Sequence, residues 1–198
     1  MIKRKMLLAA ALMVLVGCSS QQREATPKAE SKAAAGPEAA AATSDEEKIK
    51  IAMSAAPADI SRNATIVDPE EGGHMRQLRA GSNGWTCMAK PQVMCLDKEW
   101  QSFADAWMNK KDPQVKNVGF AYMLQGDAGA SNTDPFATEP TADNHWVVSP
   151  PHLMVVTPDR AQLDALPTDP HNGGPWVMWK GTKYAHIMVP TAPMPETK

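Results

Sequence analysis

The sequence predicts an α+β domain over residues 45–190, a mostly antiparallel sheet carrying one main helix. Three observations predict it. One stretch has sustained helical spacing, with Trp100, Phe103, Ala104 and Trp107 at i, i+3, i+4 and i+7. Short strand-like runs are joined by tight turns, best seen in 176–180, Gly181-Thr182 and 183–189. Strands and helices do not alternate regularly, so repeated βαβ units are not expected. No internal repeat is visible.

The chain opens with Lys3-Arg4-Lys5 and a run of 11 apolar residues, 6–16. A membrane-spanning helix needs about 20 residues. This run is too short, and it fits the apolar core of a secretory signal, residues 1–17. It ends in Leu15-Val16-Gly17-Cys18, which resembles the lipobox of bacterial lipoproteins. That resemblance implies cleavage before Cys18 and acylation of its thiol. One acyl chain holds a protein to a bilayer only weakly. The three chains that the resemblance implies would make attachment effectively permanent. It also implies a protein facing the periplasm, and Ser19 then favours the outer membrane in a Gram-negative cell.

Residues 19–44 contain no Val, Ile, Leu, Met, Phe, Trp or Tyr. Nothing there can offset the entropy of ordering. Residues 18–44 are therefore expected to be the lipidated cysteine and a disordered tether, with an end-to-end distance of about 28 Å.

The remaining 154 residues hold 14 Lys+Arg against 19 Asp+Glu. No basic cluster occurs, which argues against nucleic acid as a partner. The membrane is met through the N-terminal lipid alone. Once Cys18 is acylated, Cys87 and Cys95 remain, and an oxidising compartment would join them in a disulfide. The chain-entropy model gives such a short loop about 2.6 kcal/mol. The spacing is not the Cys-x-x-Cys of redox pairs.

Within the domain, Ser44-Asp45-Glu46-Glu47 reads as a capping box for a helix to about Ser54. Residues 64–67 read as a strand. Residues 75–79 and 85–87, separated by Gly81-Ser82-Asn83-Gly84, read as a hairpin. Asp97 is placed to cap the main helix, 98–110, and Pro113 follows its end. Residues 118–124 form a continuous apolar strand. About 20 residues rich in Asp, Asn, Pro and Thr follow, and a loop of that length is usually functional or disordered. Residues 145–148 and 152–156 are strand-like. Pro158-Asp159 starts a short helix through Leu166. The last residues, 191–198, read as a tail.

His152-x-Met154 and His186-x-Met188 hold the most specific chemistry. Residues i and i+2 of a strand share a face, so each pair presents an imidazole beside a thioether. Neighbouring strands would combine them into a His2Met2 set suited to Cu(I). The competing account is structural, because Met packs readily in cores. His152, His171 and His186 could instead join Asp127 or Asp169 in a zinc or hydrolytic site, with Ser131 as a nucleophile. No catalytic signature supports this, and Thr168-Asp169-Pro170-His171 reads first as a turn. Gly126-x-x-Gly129 and Gly173-Gly174 lack the frame of a phosphate loop. Trp146, Trp176 and Trp179 lie in or beside strands. If strand alternation turned one indole outward near Asp127 and the Asp/Asn-rich loop, it could stack on a glycan or an envelope protein.

Residues 174–190, from Gly174-Pro175-Trp176-Val177-Met178-Trp179 to His186-Ile187-Met188-Val189-Pro190, are similar to segments of an uncharacterised group of exported bacterial proteins. So is Tyr122-Met123-Leu124-Gln125-Gly126-Asp127. The resemblance implies no activity. The expected function is binding or assembly by a lipid-anchored envelope protein. Copper binding through the His-x-Met pairs and hydrolysis by His and Asp residues are the alternatives.

Overall fold

The computed structural model describes residues 44–195. The signal segment, Cys18 and nearly all of the expected tether lie outside them. The Ser44 hydroxyl accepts from the Glu47 N–H at 3.2 Å and starts α1 (Asp45–Met53). A single-turn α2 (Ala58–Ser61) follows Pro57. β1 (Thr65–Pro69) and β2 (Met75–Arg79) pair antiparallel. β3 (Thr86–Met88) and β4 (Met94–Leu96) form the next hairpin. Then come α3 (Lys98–Met108), β5 (Gly119–Met123), β6 (Ala130–Ser131), β7 (Trp146–Val147) and β8 (His152–Val156). α4 (Ala161–Asp164), β9 (Trp176–Met178) and β10 (His186–Pro190) complete the described chain.

Eight strands form one sheet in the order β2-β1-β3-β4-β5-β8-β10-β9, while β6 and β7 pair separately. Every pairing is antiparallel except β1 with β3. This is the expected α+β class.

The expected hairpin of 75–79 with 85–87 is not formed. β2 pairs with β1 instead, and β3 runs parallel to β1 on its other side. The glycine-rich segment between them is a crossover at the start of β1. A Cβ on Gly81 would lie 2.1 Å from the Thr65 nitrogen, so only glycine fits that crossing.

The Asp97 carboxylate ties α3 to the sheet. One oxygen accepts from the Trp100 N–H at 2.8 Å, and the other accepts from the Phe120 N–H at 2.6 Å. α3 ends at Met108, two residues before the expected end, because Lys110 takes a left-handed φ of 56°. Its Trp100 and Phe103 pack with Leu96, Ala121, Val156 and Met188 on one face of the sheet. On the other face α1 packs Ala52 against Ile66, Cys87 and Cys95, and α4 packs Leu163 against Val177 and Ala185. Cys87 and Cys95 stand directly opposite in the β3–β4 ladder and form the expected disulfide.

The segment after Pro190 is not wholly a tail. Thr191 donates its N–H and its hydroxyl to the Pro151 carbonyl, each at 2.8 Å, and Met194 packs against the main core.

Candidate functional site: a methionine and histidine cavity

β8 and β10 are neighbours, and their register decides the site. Met188 stands opposite Met154, and Pro190 opposite His152. His152 and Met154 therefore share a sheet face with His186 and Met188. β5 adds Met123 directly opposite His152, and β9 adds Met178 directly opposite His186. Met94 of β4 completes the face. These residues line a cavity of about 150 Å³, roofed by Trp100, Ala104 and Trp107 of α3 and by Trp179.

Both imidazoles are enclosed. His152 is 0 % exposed and His186 is 1 %. Each is the first residue of its strand, and each Nδ1 lies against the carbonyl two residues earlier. His152 Nδ1 is 2.7 Å from the Pro150 oxygen, and His186 Nδ1 is 3.1 Å from the Tyr184 oxygen. A carbonyl only accepts, so Nδ1 carries the proton in both rings. Nε2 is then a bare lone pair, and neither Nε2 has a hydrogen-bond partner. Fixing the tautomer through Nδ1–H is how proteins prepare a histidine for a metal.

Burial keeps both rings neutral. It pushes His186 down to about 4, against a smaller opposing pull from the Tyr184 carbonyl. Burial also lowers His152, with the Pro150 carbonyl and the Asp127 charge pulling the other way.

Asp127 lines the cavity near His152, but its Oδ1 is engaged. It accepts the N–H groups of Gly129 and Ser149, each at 2.9 Å. Beside Asp127, the cavity presents two neutral imidazoles and five thioethers. Thioether and imidazole are soft to borderline ligands that select Cu(I).

The tryptophans do not form an exposed platform. Trp176 and Trp179 are buried at 0 % and 6 % exposure. Simple alternation would put them on opposite faces, but Trp179 has a left-handed φ of 57° and turns back beneath α3. There its ring centroid lies 5.0 Å from that of Trp107 and 4.8 Å from His186. The indole N–H groups anchor the Asp/Asn-rich loop. Trp176 donates to Asn132 Oδ1 at 3.2 Å, Trp179 to the Ser131 carbonyl at 2.8 Å, and Trp107 to the Pro135 carbonyl at 3.0 Å. Trp146 is half-buried on Gly129 and borders a groove of about 610 Å³ that also includes Asp169 and His171.

The hydrolytic grouping assembles only in part: Asp127 joins His152 and His186 in the cavity, while Asp169 is in a separate groove. His171 lies in the groove and the other two histidines in the cavity. The His171 N–H donates to Asp169 Oδ1 at 2.9 Å, which is the expected turn. Ser131 is buried, and its hydroxyl donates to the Asn144 carbonyl at 2.8 Å. Among the described residues, no three His, Cys, Asp or Glu side chains converge as a metal site.

Sequence reasoning singled out four of the seven donors. Met94, Met123 and Met178 were passed over. Met178 shows its i+2 relation to Trp176, but only strand order brings all three beside the histidines.

The fold and cavity define an α+β sheet protein with a buried, sulfur-rich donor set. No family model matches the chain, and no curated protein or solved structure matches it either.

Proposed function

We propose that this chain is a lipid-anchored envelope protein that binds Cu(I) in the cavity between the sheet and α3. One observation carries the reading. Two buried imidazoles, each held as the Nδ1–H tautomer with an unpartnered Nε2, line one cavity together with five methionines. An unpaired buried polar atom costs about 1–3 kcal/mol. A purely structural histidine would be expected to satisfy that atom, and a ligand histidine leaves it free. The Leu15-Val16-Gly17-Cys18 motif and the Cys87–Cys95 disulfide support an exported setting.

Anaerobic incubation of the purified protein with Cu(I) and ascorbate, then desalting and metal analysis, tests the site. Copper retained by the wild type and lost by the His152→Gln/His186→Gln double variant supports it. A wild type that retains no copper ends it. Mass spectrometry of the native protein tests the anchor: the reading expects an acylated Cys18 at the amino terminus, and an unmodified start overturns it.

A further inference from the structure

Beyond copper binding itself, and resting on that reading, we infer that the cavity holds two Cu(I) ions, one at each end, rather than one ion shared by the two histidines. The ladder carries the argument. In the β8–β10 register Ile187 faces Val155, so His186 faces Val156, four residues along the strand from His152. At about 3.3 Å per residue, the two backbone levels are about 13 Å apart. Two imidazoles on one ion, at the ~2.0 Å bonds typical of a metal and imidazole nitrogen, must bring their nitrogens within about 4 Å.

The tethers oppose that convergence. Each ring is held to a carbonyl on the N-terminal side of its own strand, Pro150 for His152 and Tyr184 for His186. The strands are antiparallel, so those carbonyls lie at opposite ends of the ladder. The two Nδ1 atoms are thus tied at opposite ends of the ladder, with the rings still near enough for His186 to feel the charge of His152.

Each end also has its own sulfur donors. His152 has Met123 directly across the ladder, and Met94 lines the cavity beside that strand pair. His186 has Met178 directly across. The facing pair Met154–Met188 lies midway and is within reach of both ends. The two ends differ in surroundings. Trp100 and Trp179 pack edge-on to His186, at centroid distances of 5.3 and 4.8 Å. The charge of Asp127 acts on His152.

The test is Cu(I) stoichiometry of the full, disulfide-intact chain, titrated anaerobically against a chromophoric chelator. The expected result is two tightly held ions in the wild type and one in each of His152→Gln and His186→Gln. Met123→Leu should weaken only the ion that survives in His186→Gln, and Met178→Leu only the ion that survives in His152→Gln. These Leu variants conserve volume, so they test the site even if a histidine variant folds poorly. One ion in the wild type, abolished by either histidine variant, overturns the two-ion arrangement and leaves copper binding standing. No bound ion removes both.

Discussion

Met154 stands directly opposite Met188 across the β8–β10 ladder, and each is the i+2 neighbour of a buried, neutral histidine. Directly opposed residues in an antiparallel pair have Cβ atoms about 4.5–5.5 Å apart, so the two thioethers share one volume. If they serve copper, replacing both with leucine should lower Cu(I) affinity. Stability should change by less than about 1.5 kcal/mol, since Leu and Met are close in volume. Chelator competition and urea denaturation on one preparation separate these effects. Unchanged copper affinity with lost stability would make the pair core packing alone.

Acid should weaken the fold well above the carboxylate range. Burial holds His186 at about 4, whereas in the unfolded chain it takes up a proton near its ordinary 6.5. Between those values the unfolded state binds more protons, so stability falls as pH drops from about 6.5 toward 4. His152, also lowered by burial, acts in the same direction. Thermal unfolding of His186→Gln should depend less on pH than the wild type across that window. Parallel profiles would refute the assignment.

Asp68 governs a lower pH range. Burial pushes its carboxyl up, but Lys48, Lys90 and Arg76 outweigh burial and hold it below the usual range. Their nitrogens lie 2.6, 3.1 and 3.2 Å from its oxygens. A lowered carboxyl stabilises the fold above its ordinary pKa of 3.8, and that contribution is lost as pH falls below it. Asp68→Asn should cost about 1–3 kcal/mol at neutral pH. Denaturant unfolding at pH 7 and pH 3 should show the difference shrinking in acid.

Gly129 is a steric requirement of the cavity wall. Its φ is 114°, and an added Cβ would lie 2.0 Å from the Trp146 indole nitrogen. Gly129→Ala should displace Trp146 and cost about 1–3 kcal/mol. Tryptophan emission and urea midpoints report the two effects. An unchanged midpoint would show that the indole shifts freely.

The Cys87–Cys95 disulfide joins strands that are already paired, and its loop is short. The double alanine variant should lose about 2.6 kcal/mol while keeping its fold. Denaturant midpoints give the loss, and thiol titration of the unfolded wild type should find neither cysteine free.

Local patterns were legible in the residues. The periodicity of Trp100, Phe103, Ala104 and Trp107, with Asp97 before it, gives α3 and its cap, because a helix is specified within a few turns. Residues 152–156 give β8 with its bounds, and the hairpin of β9 with β10 follows from two strand-like runs around a turn. The disulfide is the pairing expected of Cys87 and Cys95. The same i, i+2 rule that pairs His152 with Met154 pairs His186 with Met188.

Tertiary structure decided what local windows cannot hold. No short segment says that β8 lies between β5 and β10, or that β1 runs parallel to β3, because strand order depends on contacts distant in sequence. That order brings Met94, Met123 and Met178 beside the two histidines. The backbone reversal at Trp179 likewise has no local signal, and it places under α3 an indole that alternation would have turned away. The sequence by itself determined the main helix, the longer strands and the His-x-Met donors that alternate within two of them, while the short β4 that carries Met94 had no pattern of its own. Only the packed sheet decided that those donors meet, because a strand's faces are set by its period of two and its neighbours by the whole chain.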